Sequence, residues 1–327
     1  MRALQVSAFG GPDAVVMANV PEPPASHPLA RGDPVVIEVR AAGVTFADVL
    51  LSRGLYQLKP EPPFVLGMEV TGIVRAAPAN SELRPGDRVA AFTQLGGFAE
   101  VAVAPAHLTF RLPQALDYSQ GAGLVLNYHT AAFALTTRGR VSAGDHVLVH
   151  GAAGGIGTAA LQVARGLGAR TTAVVSSDEK AEVARRAGAH DVVLFDDQWR
   201  DRVRELTGEG VDVVIDPVGG DRFTDSLRTL RAGGRVVVVG FTGGSIPQVK
   251  VNRLLLHNTE VIGAAWPEWV IQRPDTARTI GDIVTRLIDD GAIRPLVGAR
   301  LALEDGADAL RLVEQRRALG KVVLEIR

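Results

Sequence analysis

At 327 residues, with 46% hydrophobic content and a formal net charge of −1, the chain has the size of two domains and enough apolar surface for sizeable cores. Its charge balance gives no nucleic-acid surface and no acidic tail, and the lack of cysteine excludes disulfides and thiolate metal sites. No apolar run reaches membrane-spanning length and the N-terminus has no secretory h-region, so a cytoplasmic protein without a membrane partner is expected.

Residues 1 to about 120 read as β-rich. Met1–Val6 is a short strand-like run, Val35–Arg40, Val70–Arg75 and Arg88–Phe92 are strands, and ten prolines between Pro21 and Pro85 punctuate them. Closely spaced breakers between short apolar runs suit a compact barrel rather than a parallel sheet. One helix, Phe46–Ser52, interrupts this region.

From about 121 the rhythm changes to strand–helix alternation. His146-Val-Leu-Val-His150 runs into Gly151-Ala-Ala-Gly-Gly-Ile-Gly157, after which Ala159, Ala160, Val163 and Ala164 form an apolar face at helical spacing. Such a strand–turn–helix binds a pyrophosphate, because small residues admit the phosphates to the backbone and the helix start offers free N–H groups. Ala152-x-Gly154-x-x-Gly157 departs from the full G-x-G-x-x-G, and a tight glycine turn also serves α/β proteins that bind no nucleotide; the flanking elements favour the nucleotide. Strands follow at Thr171–Val175, Asp191–Leu194, Val211–Ile215, Arg235–Gly240 and Glu260–Ala264, with helices starting near Asp178, Gln198, Asp221 and Val249. This predicts a doubly wound parallel sheet of six strands. Residues 265–327 return to mixed structure, with helices over 273–290 and 304–317 and a last strand, Lys321–Ile326. The expected fold is therefore α/β, with a dinucleotide domain (122–265) inserted in a β-rich domain (1–121 and 266–327).

Ala42-Gly-Val-Thr-Phe-Ala-Asp48, Arg53-Gly-Leu-Tyr56, Pro63-Phe-Val-Leu-Gly-Met-Glu69, Leu83-Arg-Pro-Gly-Asp-Arg-Val89, Gly96-Gly-Phe-Ala-Glu100, the glycine turn, Val218-Gly-Gly220, Gly233-Gly-Arg235 and Gly320-Lys321 follow one another along the chain. In this order they resemble the zinc-independent, zeta-crystallin-like quinone oxidoreductase branch of the medium-chain dehydrogenase/reductase superfamily. The resemblance spans essentially the whole chain and implies a GroES-like partial barrel around a Rossmann domain. Zinc members carry Gly-His-Glu where this chain has Gly67-Met68-Glu69. With Met68 in place of the ligand, no cysteine and seven scattered histidines, the three or so ligands of a catalytic zinc are missing and no metal is expected. Glu69 then reads as a buried, paired structural acid.

NAD-specific Rossmann domains place a carboxylate about 20 residues beyond the turn. Here the strand ends Val175-Ser176-Ser177, and the resemblance gives Lys180 the 2′-phosphate of NADPH, with Ser176 and Ser177 as donors. A tyrosine that assists in relatives is Phe195 here. Ser-Ser-Asp-x-Lys equally reads as a helix N-cap with a solvated lysine. By position in the family, Ala152, Gly154, Gly155, Ile156 and Gly157 hold the pyrophosphate, Asn127 and Thr130 line the nicotinamide, and Gly240 and Phe241 meet its carboxamide. Lys321 corresponds to a basic residue that reaches the pyrophosphate, or else is a surface lysine. His129 reads as part of a helix start rather than as a base.

Without metal or cysteine, direct hydride delivery to a quinone or α,β-unsaturated carbonyl fits best, the protein supplying orientation and donors. Thr45, Asp48, Tyr56 and Asn127 are the catalytic candidates, with Phe241 and Trp266 as further lining. Relatives often have Asn at Thr45. Tyr56 matches a proton donor of enoyl-thioester reductases, and a phenol of pKa about 10 stays protonated at neutral pH, but the residue reads equally as loop packing. Two other readings stand beside quinone or enone reduction: enoyl-thioester reduction, with Arg53 and Lys59 near a carrier phosphate, and NADPH binding with little turnover. The resemblance further implies a homodimer paired through the edge strand Val261–Ala265.

Overall fold

The computed structural model describes residues 1–30 and 32–327. It forms two compact units: 1–126, 273–281 and 295–327 make the first, and 127–272 with 282–294 make the second. The borders expected at 121/122 and 265/266 thus stand against divisions at 126/127 and 272/273.

The first unit begins with β1 (Arg2–Val6), β2 (Val15–Asn19) and β3 (Val35–Val44), followed by helix α1 (Phe46–Ser52). β4 (Phe64–Val65), β5 (Glu69–Ala76), β6 (Arg88–Phe92), β7 (Val101–Ala104), β8 (Thr109–Arg111) and a single helical turn, α2 (Tyr118–Gly121), complete its N-terminal part. β2, β1 and β4 form a small antiparallel sheet, while β3 pairs with β5 and β7, and β5–β6–β8 continue the larger one. β3 alternates buried and half-buried residues until Ala41, then is buried throughout, as a strand covered on both faces must be.

Residues 124–138 are helical, two π-helical stretches flanking α3 (His129–Phe133), and carry the chain into the second unit. There β9 (His146–His150), α4 (Gly155–Gly166), β10 (Arg170–Val175), α5 (Asp178–Arg186), β11 (Asp191–Leu194), α6 (Trp199–Thr207), β12 (Val211–Asp216), α7 (Phe223–Thr229), β13 (Leu230–Val238), α8 (Asn252–His257) and β14 (Glu260–Gly263) alternate. The six strands are parallel in the order β11-β10-β9-β12-β13-β14, the doubly wound arrangement that reverses direction at its first strand. The apolar runs are buried as read: every residue of β12 is inside, and Leu148, Val174, Val214 and Val236 meet Trp199, Val203 and Phe223 in one core. β13 starts five residues before the strand expected from Arg235, because a register shift lets Leu230 pair with Val211.

α9 (Trp266–Gln272) and α10 (Asp275–Asp289) follow, and the chain ends with β15 (Val297–Ala302), α11 (Gly306–Glu314) and β16 (Lys321–Glu325). α9 and β15 carry no signal strong enough to be read from sequence; α9 is too short for a periodic face. β16 pairs antiparallel with β3, Val322 against Val44, so the two distant pieces of the β-rich unit share a sheet. No helix of the described residues is long and apolar enough to cross a membrane.

Candidate functional site

At the end of β9 the chain turns on Gly151, whose φ of +56° suits a residue without Cβ. Gly154 then caps α4 in an extended conformation, with no side chain accepting from the helix start. Ala152 and Gly157 are buried, whereas Gly154, Gly155 and Ile156 remain half-exposed. A Cβ on Gly157 would lie 2.2 Å from the Gly151 carbonyl oxygen and 2.5 Å from Ala152 Cα, so helix and turn touch there. At Gly154 the nearest such contact is 3.5 Å, which leaves room for a ligand. The amides of Gly155, Ile156 and Gly157 have no acceptor within the helix and carry its positive end. The Asn127 amide lies against this helix start: a Cβ on Gly155 would be 2.9 Å from its Oδ1. Asn127 is 6% exposed and its Oδ1 has no hydrogen-bond partner among the described residues, a costly state that a ligand N–H would relieve. Thr130, near it on α3, is also buried. Open glycines, unbonded amides and an orphaned acceptor fit a dinucleotide whose phosphates lie at the helix start.

The tip of β10 bears no carboxylate. Ser176 is exposed, Ser177 caps α5 by accepting the Lys180 N–H, and Lys180 Nζ donates to Ser176 Oγ at 3.0 Å. Cap and cation, which are alternatives in sequence, coexist because different atoms serve them. The Phe195 amide donates to Val175 O at 2.7 Å, which sets Phe195 beside this tip, its ring 36% exposed beneath the Arg222 guanidinium. At the end of β12, Asp216 Oδ1 accepts the amides of Val218 and Gly219 at 2.8 and 2.9 Å and shapes the following turn. Gly240 donates to the Asp216 carbonyl, and Phe241 beyond it is 39% exposed.

In the first unit, Thr45 and Asp48 form the capping box of α1. Asp48 Oδ2 accepts the Thr45 amide at 2.8 Å and the Thr45 hydroxyl at 2.6 Å. Asp48 is fully buried, so it reaches a ligand only through Thr45. Burial pushes its carboxyl up to about 6, against the lowering hydrogen bonds from Thr45 and the Lys321 charge. Tyr56 is half-buried in the loop after α1.

Two expectations change. Lys321 is not a surface residue: it is 6% exposed and its Nζ donates to Glu69 Oε1 at 2.6 Å. Gly43 makes this pair possible, since a Cβ there would stand 2.6 Å from Lys321 Cε and 2.7 Å from Glu69 Oε1. Glu69 Oε2 accepts the Leu126 amide; burial raises this carboxyl's pKa, while the ammonium and the backbone amides pull it back. Trp266 is also no lining residue: it is 1% exposed and packs on Phe133 and His129 at ring distances of 5.6 and 5.8 Å. His129 opens α3, and burial pushes its imidazole down to about 3, so it is neutral at pH 7. The Arg222 stack and the Lys321–Glu69 pair escape sequence reading because each joins segments far apart in the chain.

A family model described as an alcohol dehydrogenase GroES-like domain matches residues 31–114, and one described as a zinc-binding dehydrogenase matches 155–282. The rat quinone oxidoreductase-like protein 2 is 39% identical over 299 residues, covering 90% of this chain and 85% of its own. The chain belongs to the quinone oxidoreductase-like family of medium-chain dehydrogenases/reductases. A probable oxidoreductase from Mycobacterium abscessus shares this member's fold with a TM-score of 0.90 and 42% identity, over 99% of this chain and 98% of that one. A mycobacterial structure complexed with NADPH matches at TM-score 0.90 and 33% identity, over 99% and 100%. This quinone oxidoreductase-like chain is an oxidoreductase by family. Among its described residues no three His, Asp or Glu side chains stand together as a metal-binding group. His146 and His150, four apart, lie on a strand rather than a helix, which separates them by about 13 Å. Their Nε2 atoms bond Thr172 and Ser226.

Proposed function

We propose that this chain is a metal-independent, NADPH-dependent reductase that transfers hydride to a quinone or an α,β-unsaturated carbonyl. The observation that carries the reading is the uncapped glycine turn with a carboxylate-free, cation-bearing β10 tip beside it. The name of the mycobacterial structure complexed with NADPH supports the choice of cofactor. Met68, buried where zinc-dependent relatives place a histidine ligand, supports the metal-free reading.

NADPH, when bound, supplies the hydride. The amides of Gly155, Ile156 and Gly157 hold the pyrophosphate, against Ala152 and Gly154. Ser176, Ser177 and Lys180 hold the 2′-phosphate, and Phe195 offers that end a ring without a hydroxyl. Asn127 Oδ1 accepts from the nicotinamide end, which Thr130, Gly240 and Phe241 help to orient. Lys321 drops out of the cofactor set, because its ammonium is spent on Glu69. The Thr45 proton is likewise directed at Asp48 Oδ2, which leaves Tyr56 as the donor to the substrate oxygen. Asp48 is a positioning residue that holds Thr45.

Arg53 pairs with Glu314 at 2.6 Å, which withdraws one of the two cations offered for a carrier phosphate and weighs against the enoyl-thioester reading. Edge strand β14, with Val261 37% exposed, adjoins in sequence the solvent-facing Val251 just before α8 and Leu255 and Leu256 within it; this apolar surface supports a homodimer through that edge. The deciding experiment is NADPH oxidation with quinones, enones, enoyl-CoAs and alcohols, with and without chelator. Turnover with a quinone or enone, unaffected by chelator, is expected. A much higher kcat/KM on an enoyl-CoA would replace the substrate assignment, chelator-sensitive alcohol oxidation would replace the mechanism, and no turnover on any substrate would leave a binding protein.

A further inference from the structure

We infer that Arg222, stacked on Phe195, is a second cation for the 2′-phosphate of the dinucleotide, working with Lys180. The inference rests on the NADPH reading above and adds a selectivity residue to it.

Position is the first argument. The Phe195 amide donates to Val175 O, so the aromatic ring starts level with the β10 tip where Ser176 holds the Lys180 ammonium. The Arg222 guanidinium carbon lies 3.8 Å from the centre of that ring. Arg222 is half-buried and its main chain is fixed: its carbonyl accepts the Ser226 amide at 2.9 Å and hydroxyl at 3.1 Å. The same hydroxyl bonds Nε2 of the buried His150 at 2.8 Å, which ties Arg222 to the C-terminal end of β9. Its charge is felt there: burial above all pushes His150 down to about 4, with Asp216 opposing and Arg222 adding to the shift. Arg222 therefore stands over the carboxyl ends of β9, β10 and β11, where doubly wound sheets bind their ligands.

Chemistry is the second argument. A guanidinium stacked on a ring keeps its N–H groups in its own plane, directed past the ring edge, in the fork that matches phosphate oxygens. The ring face stabilises the cation without consuming a donor and holds the long side chain in one orientation. This also accounts for Phe195 remaining 36% exposed beside an apolar core that could bury it.

The test is calorimetric binding of NADPH, NADH, adenosine 2′,5′-bisphosphate and AMP to the full chain and to Arg222→Gln, with thermal unfolding as the folding control. Loss of a charge-assisted phosphate contact should weaken NADPH and the bisphosphate about tenfold or more, leaving NADH and AMP within about twofold. Arg222→Lys, which keeps charge but loses the planar fork, should recover part of that loss. Unchanged NADPH affinity in Arg222→Gln, or equal weakening of NADPH and NADH, overturns the inference while the wild-type preference for NADPH stands. A wild-type chain that binds both dinucleotides equally well overturns the NADPH reading itself, and this inference with it. Should Arg222→Gln fail to fold, Phe195→Leu, which removes the supporting face, must show the same selective loss to a smaller degree; an unaltered NADPH to NADH ratio there counts against the proposal.

Discussion

The two units solve the problem of polar groups in opposite ways. In the second, the glycine turn leaves main-chain amides unbonded at the start of α4, and the Asn127 side chain pressed against that start has an acceptor without a partner among the described residues. In the first, most of the polar groups are spent on each other: Lys321 on Glu69, Glu69 on the Leu126 amide, Thr45 on Asp48 Oδ2, with Asp48 Oδ1 left over among the described residues. A site kept open for an anion can be built from backbone, which only glycine can expose so fully. A polar cluster inside a β-rich core is held together mainly by its internal bonds, because each unpaired buried group costs about 1–3 kcal/mol. The first arrangement stores binding capacity, and the second stores stability.

Breaking the closed cluster should give the largest effect on folding. Lys321→Met leaves Glu69 buried without its cation and should cost about 3–5 kcal/mol at neutral pH, read by urea unfolding. Dinucleotide affinity should change little; a large loss of affinity at unchanged stability would show that Lys321 serves the ligand and the units are less distinct than they look. Asp48 sharpens the same point through pH. Its carboxyl titrates at about 6 in the folded chain against 3.8 as a free group, so the folded state holds the extra proton between those values. Stability is therefore fully present below about pH 4 and falls as pH rises to about 6, a swing of about 3 kcal/mol. The stability difference between Asp48→Asn and wild type should move in favour of the variant by that amount from pH 4 to 7; a flat difference would mean Asp48 is not desolvated.

The open turn should respond in affinity more than in folding, and unevenly. Gly157→Ala drives a Cβ against the Gly151 carbonyl and should cost about 1–3 kcal/mol while displacing the helix start, with dinucleotide affinity falling as well. Gly154→Ala meets nothing nearer than 3.5 Å and should fold normally while weakening the dinucleotide by steric exclusion, as fluorescence titration would show. Equal stability losses at both positions would contradict the contrast between touching and open glycines. The smallest effect is expected at the surface. Lys180→Ala should raise the Kd for NADPH about tenfold and leave NADH nearly unchanged; equal changes would remove Lys180 from the 2′-phosphate.

Much of the second unit was legible in the chain. Parallel strands are apolar-rich runs, and six of them follow in order from Val147 to Ile262, with a helical stretch between each and the next. α1, Phe46–Ser52, coincides with the apolar helical segment expected to end near Gly54, while the capping box of Thr45 and Asp48 that starts it carried no such reading. Boundaries slipped where pairing, not local pattern, decides them, as at Leu230 on β13. In the first unit β2, β4, β7, β8 and β15 carry no strand expectation, since short strands in a barrel owe their existence to partners elsewhere. The pairing of β16 with β3 was inferred only from the order of segments, and the burial of Lys321 followed from it.

By itself, then, the sequence determined the elements whose cause is local: the glycine turn, the missing carboxylate after Val175, the caps at Thr45 and Ser177, the alternation that makes a doubly wound sheet. These depend on backbone freedom and on contacts within a few residues. Only the tertiary structure decided which side chains are spent and which are left. Lys321 met Glu69 across 252 positions, Arg222 settled on Phe195, and Trp266 went into the core. Charge, burial and reach at such places depend on which distant residue arrives beside them, and no local pattern encodes that arrival.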